Sequence, residues 1–288
     1  MEIKAKIAGI NVCFDHIHYD YFLAKYGEYL CDFAVFNLRL IIKYEEKTVP
    51  QGKVIFSNGT VKLLEFPNGD KQIVKTNNKG ITSYSITYNK TLTEIYVYVS
   101  KNFHIKDCPD EAVEFALATL CFNMKLIQSG GMMFHSSCID YKGDAICFSA
   151  PSGTGKSTHT QLWRKVFGDD VKFINDDKPA IKFNKNDIPY AYGLPYSGKD
   201  FLNSNTSAPV KAIVFIERSK TNSIRKIDGV EAVYKIVNQT FKVVEDKELY
   251  NMLLETVEKF VLSVPCYILS CDMSEEAVIT CYNELYKK

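Results

Sequence analysis

Apolar and polar residues alternate through much of the first hundred positions. Tyr84, Ile86 and Tyr88 are interleaved with Ser83, Ser85 and Thr87, the period that a half-buried strand requires. The aromatic and aliphatic run Phe33–Tyr44 and the stretch Leu92–Ser100 also predict strands. Asn58-Gly59 and Asn68-Gly69 predict hairpin turns, because both residue types tolerate a positive φ. The expectation for residues 1–108 is an antiparallel, β-rich domain, and no chemistry concentrates in it.

From Pro109 to Gln128 the pattern changes. Val113, Phe115, Leu117, Leu120, Phe122 and Ile127 spread over nearly every helical face, which predicts a buried helix. Asp107 or Asp110 is suited to cap it, Glu111 suits its positive end, and Gly130-Gly131 suits its stop. This helix is expected to connect two halves of the chain across residues 109–130. Beyond it, strands are predicted at Met132–Asp140, Asp144–Ala150, Val171–Asn175, Lys178–Phe183, Val210–Ile216 and Cys266–Ser270. Helices are predicted at Ser157–Phe167, Lys247–Leu262 and Ser274–Tyr286. Strands alternating with helices make residues 131–288 an α/β domain.

Composition narrows the partners. The 35 basic and 34 acidic side chains nearly cancel, whereas a nucleic-acid binder usually carries a basic excess. Nine cysteines include no C-x-x-C pair, so a structural zinc site is unsupported. The opening MEIKAKIAGI has no apolar signal core, which leads us to expect reduced thiols and a cytoplasmic protein. Glu114, Asn123 and Lys125 interrupt the longest apolar stretch, so no membrane partner is expected.

The strongest chemical signal is Ala150–Ser157, which reads APSGTGKS. It fits the Walker A pattern at every defined place except the first, where Ala150 stands for Gly. A strand is predicted before it and a helix after it, as a phosphate cradle requires. Gly153 and Gly155 allow the backbone to bend so that the amides from Ser152 through Thr154 onward face phosphate. The helix N-terminus favours the same negative charge. In this reading Lys156 reaches the β- and γ-phosphates of ATP, Ser157 holds Mg²⁺, and Thr158 lies by the α-phosphate.

A magnesium site built on such a loop needs a carboxylate. Asn175-Asp176-Asp177 follows a predicted strand, twenty positions after Lys156. Two adjacent acids can divide the work, one holding Mg²⁺ and one taking a proton from an attacking hydroxyl. The pair Asp169-Asp170 reads as a plain loop. His135 stands fifteen positions before Ala150, at the start of the strand leading toward the loop.

The order His135-Ser136-Ser137, strand, Ser152–Lys156 loop, helix, strand, Asp176-Asp177 resembles the HPr kinase/phosphorylase and phosphoenolpyruvate carboxykinase superfamily. The resemblance spans about Phe134 to Ala180, plus the layout of a β-domain before a P-loop kinase domain. It implies that His135 lies near metal and transferred phosphate, that Asp176 is the base and that Asp177 is a Mg²⁺ ligand. Departures bear on the substrate. The segment with which HPr kinases engage HPr is missing, and the second half offers only Arg164, Arg218 and Arg225, too few for oxaloacetate chemistry. The segment Gly193-Leu-Pro-Tyr-Ser-Gly-Lys199 resembles one in HPr-kinase-like proteins of uncertain target, where Lys199 would stabilise charge on the transferring group.

The resulting expectation is an ATP- and Mg²⁺-dependent kinase acting on a serine or an alcohol metabolite. A nucleotide-binding sensor with little catalysis and a carboxykinase-type transfer are the alternatives, and pyrophosphate is a conceivable donor.

Overall fold

The computed structural model describes residues 2–45, 52–196 and 202–287. The fold is mixed α/β with two multi-stranded sheets, in two compact units. The first unit comprises Met1–Ser129 with Lys242–Asn251, and the second comprises Gly130–Phe241 with Met252–Lys288.

The first sheet contains β1 (Glu2–Ile7), β2 (Ile10–Asp15), β3 (Leu38–Tyr44), β4 (Lys53–Ser57), β5 (Val61–Glu65), β6 (Lys71–Thr76), β7 (Thr82–Tyr88) and β8 (Glu94–Val99). Their order is β1-β2-β3-β8-β7-β6-β5-β4. The two Asn-Gly turns join β4 to β5 and β5 to β6, with Gly59 and Gly69 at positive φ. The sheet is not wholly antiparallel, however. β3 runs parallel to both β2 and β8. A parallel step needs a crossover, and the helix α1 (Tyr19–Tyr26) lies in that connection. Its short aromatic sequence, Tyr19 to Tyr26, gave no helical signal.

The helix α2 (Asp110–Gln128) packs on β3 and belongs to the first unit. Val113, Leu117, Ala118, Cys121 and Phe122 are buried along it, and so is Glu114, in the midst of an apolar helix. Glu114 is held by Ile17 N–H at 3.1 Å, by His16 Nδ1 at 3.1 Å and by His18 Nδ1. Burial opposes its ionisation, but the two imidazoles and the amide together keep the carboxyl below its ordinary range.

The second sheet contains β9 (Gly131–Met133), β10 (Ser136–Tyr141), β11 (Asp144–Ser149), β12 (Val171–Asp177), β13 (Ala180–Phe183), β14 (Pro189–Tyr192), β15 (Ser207–Arg218), β16 (Ser223–Ile227) and β17 (Cys266–Cys271). The strand expected over Met132–Asp140 is thus two, broken at Phe134-His135. β11, β15 and β17 run parallel, and β10 lies antiparallel between β11 and β12. The helices are α3 (Lys156–Phe167), α4 (Gly229–Asn238), α5 (Lys247–Ser263) and α6 (Glu275–Leu285). Trp163 of α3 and Val278 and Cys281 of α6 pack with Ile146, Phe148, Val214 and Leu269 of the central strands. That core fixes α3 behind the strand ends where the chemistry lies. Among the described residues no helix is long and apolar enough to cross a membrane.

Candidate active site

The loop Ala150–Gly155 connects the end of β11 to the start of α3. Gly153 has φ +76° and Gly155 φ +122°, backbone states that side-chain-bearing residues rarely adopt. A Cβ on Gly155 would come within 3.1 Å of Met273 Cε. Ser152, Ser157 and Thr158 are exposed. The amides at the N-terminus of α3 therefore face an open surface, where they favour negative charge. Lys156 Nζ donates to Ala150 O at 2.9 Å, so the ammonium lies along the loop. Partial burial lowers its pKa, an effect that nearby Asp177 and Asp176 oppose.

The acidic pair does not occupy a turn after the strand; Asp176 and Asp177 are the last two residues of β12 itself. Successive strand residues face opposite sides of a sheet, and this separates them. Asp176 faces α3, where Ser157 Oγ donates to its Oδ1 at 3.0 Å. Beside it Ser137 Oγ and Thr160 Oγ1 are 2.8 Å apart, and Thr160 donates to Ser157 O at 3.0 Å. Asp177 instead lies 3.6 Å from His135 Nε2, and Lys178 Nζ contacts its other oxygen at 2.5 Å.

His135 is fixed from below. Its backbone N–H donates to Gln239 O at 2.7 Å and its Nδ1 meets Gln239 Oε1 at 3.0 Å. With the amide oxygen as acceptor, Nδ1 carries the proton and Nε2 turns a lone pair toward Asp177. Burial, and then the charge of Lys156, depress the pKa of the ring, which is therefore neutral at neutral pH. Two acceptors facing each other at 3.6 Å suit one donor between them, such as a hydroxyl.

The structure thus brings together His135, Lys156, Ser157, Asp176 and Asp177. Lys199 lies outside the described residues. Its flanks are tied to β12, since Asn175 Nδ2 donates to Leu194 O at 2.9 Å and Asp176 N–H donates to Leu202 O at 2.8 Å. Gly193 allows this packing. A Cβ there would stand 1.8 Å from Ser204 O and 2.7 Å from Ile174 O.

Gln239 and Thr160 were not singled out from sequence, and Ser137 and Arg218 were named there without a role in the site. Gln239 is 104 positions from His135 and follows a helix that the pattern did not reveal; only the pairing of Phe134 with Thr240 brings it in. Arg218 donates from Nε to Thr154 O at 3.1 Å and from Nη2 to Gly153 O at 2.6 Å, holding the outer face of the loop. Its position two residues past the predicted strand Val210–Ile216 was the available signal.

Chemically, the loop amides and Lys156 suit a polyanion. Ser157 and Asp176 offer two hard oxygens, in keeping with Mg²⁺, which usually takes few protein ligands and fills its shell with water and phosphate oxygens. Among the described residues no three His, Cys, Asp or Glu side chains cluster as a metal site.

A family model described as SynChlorMet cassette protein ScmC matches residues 105–277, more than half of the chain. Among solved structures the chain is similar to the Hpr(Ser) kinase/phosphatase from Coxiella burnetii, at 9% identity and a TM-score of 0.31. That match covers 53% of this chain and 95% of the other, and it is weak. No curated protein matches the chain.

Proposed function

The chain belongs to the SynChlorMet cassette protein ScmC family, and from its site geometry we propose a Mg²⁺-dependent phosphotransferase that passes the γ-phosphoryl group of ATP to a hydroxyl acceptor. One observation carries the reading. A loop with two positive-φ glycines opens α3, and the hydroxyl one residue into that helix, on Ser157, meets Asp176 at 3.0 Å.

The amides of Ser152–Ser157 and the Lys156 ammonium hold the triphosphate by charge and direction. Ser157 and Asp176 would hold Mg²⁺, which supplies neutralisation of charge on the phosphate oxygens. Asp177 takes the proton from the acceptor hydroxyl as the new P–O bond forms, with His135 Nε2 beside it to orient that hydroxyl. The bond from the γ-phosphorus to the bridging oxygen breaks in the same displacement, and ADP leaves. This division makes Asp176 the metal ligand and Asp177 the proton acceptor, the reverse of what the superfamily resemblance implied. The contact of Asp176 with Ser157 and of Asp177 with His135 supports that exchange of roles.

The test is phosphate transfer followed by ³¹P NMR, with ATP, Mg²⁺ and a panel of serine peptides and small alcohols. Wild type is expected to phosphorylate at least one acceptor. Asp177→Asn is expected to bind ATP normally but transfer at least about 10²-fold more slowly, the usual contribution of a general base. ATP binding with no transfer to any acceptor would favour a nucleotide sensor instead.

A further inference from the structure

Gly153 and Gly155 give the phosphate loop its bend, but glycine holds no backbone state by itself. A group outside the loop must therefore fix the direction of its amides. Arg218 is placed to do so. β11 ends at Ser149, which pairs with Phe215 of its parallel neighbour β15. From Phe215, β15 runs on to Arg218, roughly 10 Å at the rise of a parallel strand, and so stands alongside the loop that leaves β11.

The last residues of β15 divide by alternation. Val214 and Ile216 face the core around Trp163 of α3, and Arg218 continues that face. Glu217 faces the other way and meets Lys235 of α4 at 2.9 Å. The backbone beneath the guanidinium is fixed, because Arg218 pairs with Cys271 of β17 and Ser219 N–H donates to Cys271 O at 2.9 Å. Arg218 Nε then donates to Thr154 O at 3.1 Å and Nη2 to Gly153 O at 2.6 Å. A planar fork on a fixed strand end thus holds two successive carbonyls at once.

Those carbonyls belong to the peptide groups that carry Thr154 N–H and Gly155 N–H. Both peptides are trans, so each N–H points opposite to its carbonyl. By drawing both oxygens toward itself, Arg218 turns both amides to the far side of the loop. Its positive charge on the carbonyl side also polarises the two peptide groups, which makes their N–H groups better donors. Thr154 N–H is partly spent on Pro151 O at 3.3 Å. Gly155 N–H has no acceptor among the described residues.

We infer that Arg218 is a positioning residue for the phosphate cradle. It acts through the carbonyls of Gly153 and Thr154, and aims Gly155 N–H, with Thr154 N–H beside it, at the triphosphate. The role rests on the triphosphate reading above. It asks for arginine in particular: lysine keeps the charge but lacks the fixed fork that sets two carbonyls in one direction.

The test is isothermal titration calorimetry of ATP with Mg²⁺, and of inorganic tripolyphosphate, into wild type, Arg218→Lys and Arg218→Ala, with thermal unfolding measured on each. Both variants should unfold near the wild-type temperature, since the side chain is exposed and the strand end keeps its backbone pairing. Both should bind each anion about tenfold more weakly, by the same factor for ATP and tripolyphosphate, because the loss falls on the phosphates. Wild-type affinity in Arg218→Lys would show that charge alone acts and would overturn the positioning role. So would wild-type affinity in Arg218→Ala. A measurement on wild type stands apart from the folding of any variant. With ¹⁵N-glycine labelling, the Gly155 amide resonance should move on tripolyphosphate binding, and a resonance that stays in place also overturns the role. Failure of wild type to bind either anion overturns the triphosphate reading instead.

Discussion

At the scale of single residues, the site depends on places where a small or absent side chain is required. Gly155 sits at φ +122° and a Cβ there would come within 3.1 Å of the flexible end of Met273, so Gly155→Ala adds chiefly backbone strain. Strain of this kind costs of order 1–3 kcal/mol. Because the strain falls on the loop, the variant should lose nucleotide affinity while calorimetry shows a second unit still folded. Unchanged ATP affinity would mean that the loop conformation is not the binding one. Gly193→Ala has a different outcome. Its Cβ would overlap a backbone carbonyl at 1.8 Å, and neither chain has a flexible end to move aside. That variant is expected to be recovered largely in the insoluble fraction, as scored by the soluble yield beside wild type.

At the scale of elements, the buried Glu114 pins the segment between β2 and α1 to α2. Its carboxyl pKa is depressed, chiefly because its bonds to His16 and His18 outweigh burial, and that of His16 is depressed by burial. Both shifts have the same sign for stability. The His16 contribution is complete above its ordinary value near 6.5 and is lost as pH falls below it; that of Glu114 follows below about 4.5. Thermal unfolding should therefore occur at progressively lower temperature as pH falls from 7 toward 4. Glu114→Ala, which leaves the buried His16 and the partly exposed His18 without their acid, should cost about 1–3 kcal/mol at pH 7, steepen the fall below about 6.5 and remove the part below about 4.5. A variant with the wild-type profile would place the pH response elsewhere.

Elements were legible where their signals were local. The Asn-Gly turns, the 109–130 helix and the 150–157 loop each carry their reason within a few residues. The parallel placement of β3 was not legible, because it depends on a crossover through α1, a helix of only two turns that gave no helical signal. Nor was the break at Phe134-His135, which exists because Gln239–Phe241 pairs there from a hundred positions away. The acid pair was found by spacing, but its partition could not be. Only the strand geometry at the end of β12 shows that consecutive aspartates face different partners.

At the scale of the whole molecule, the chain order and the spatial units differ. Lys242–Asn251 belongs with the first unit although it follows most of the second in sequence. Asp246 explains this return. Both its oxygens accept from Lys71 Nζ at 3.0 Å, Tyr88 donates to it at 2.7 Å, and Glu248 adds a second bond to Lys71 at 2.9 Å. Lys71 and Asp246 are both buried, so removing one leaves an unpaired charge, at a cost of about 3–5 kcal/mol. Asp246→Ala should accelerate amide hydrogen exchange in β6 and β7, read by mass spectrometry. Unchanged exchange there would show that apolar packing alone holds the segment.

The central claim is that the loop opening α3 holds a triphosphate through Lys156, with Mg²⁺ on Ser157 and Asp176. Calorimetric titration of ATP, with and without Mg²⁺, into wild type, Lys156→Ala and Asp176→Asn tests it directly. The account predicts Mg²⁺-enhanced binding to wild type, a loss of at least about tenfold in Lys156→Ala, and loss of the Mg²⁺ enhancement in Asp176→Asn. Equal affinity in all three proteins, or no binding to wild type, would contradict it.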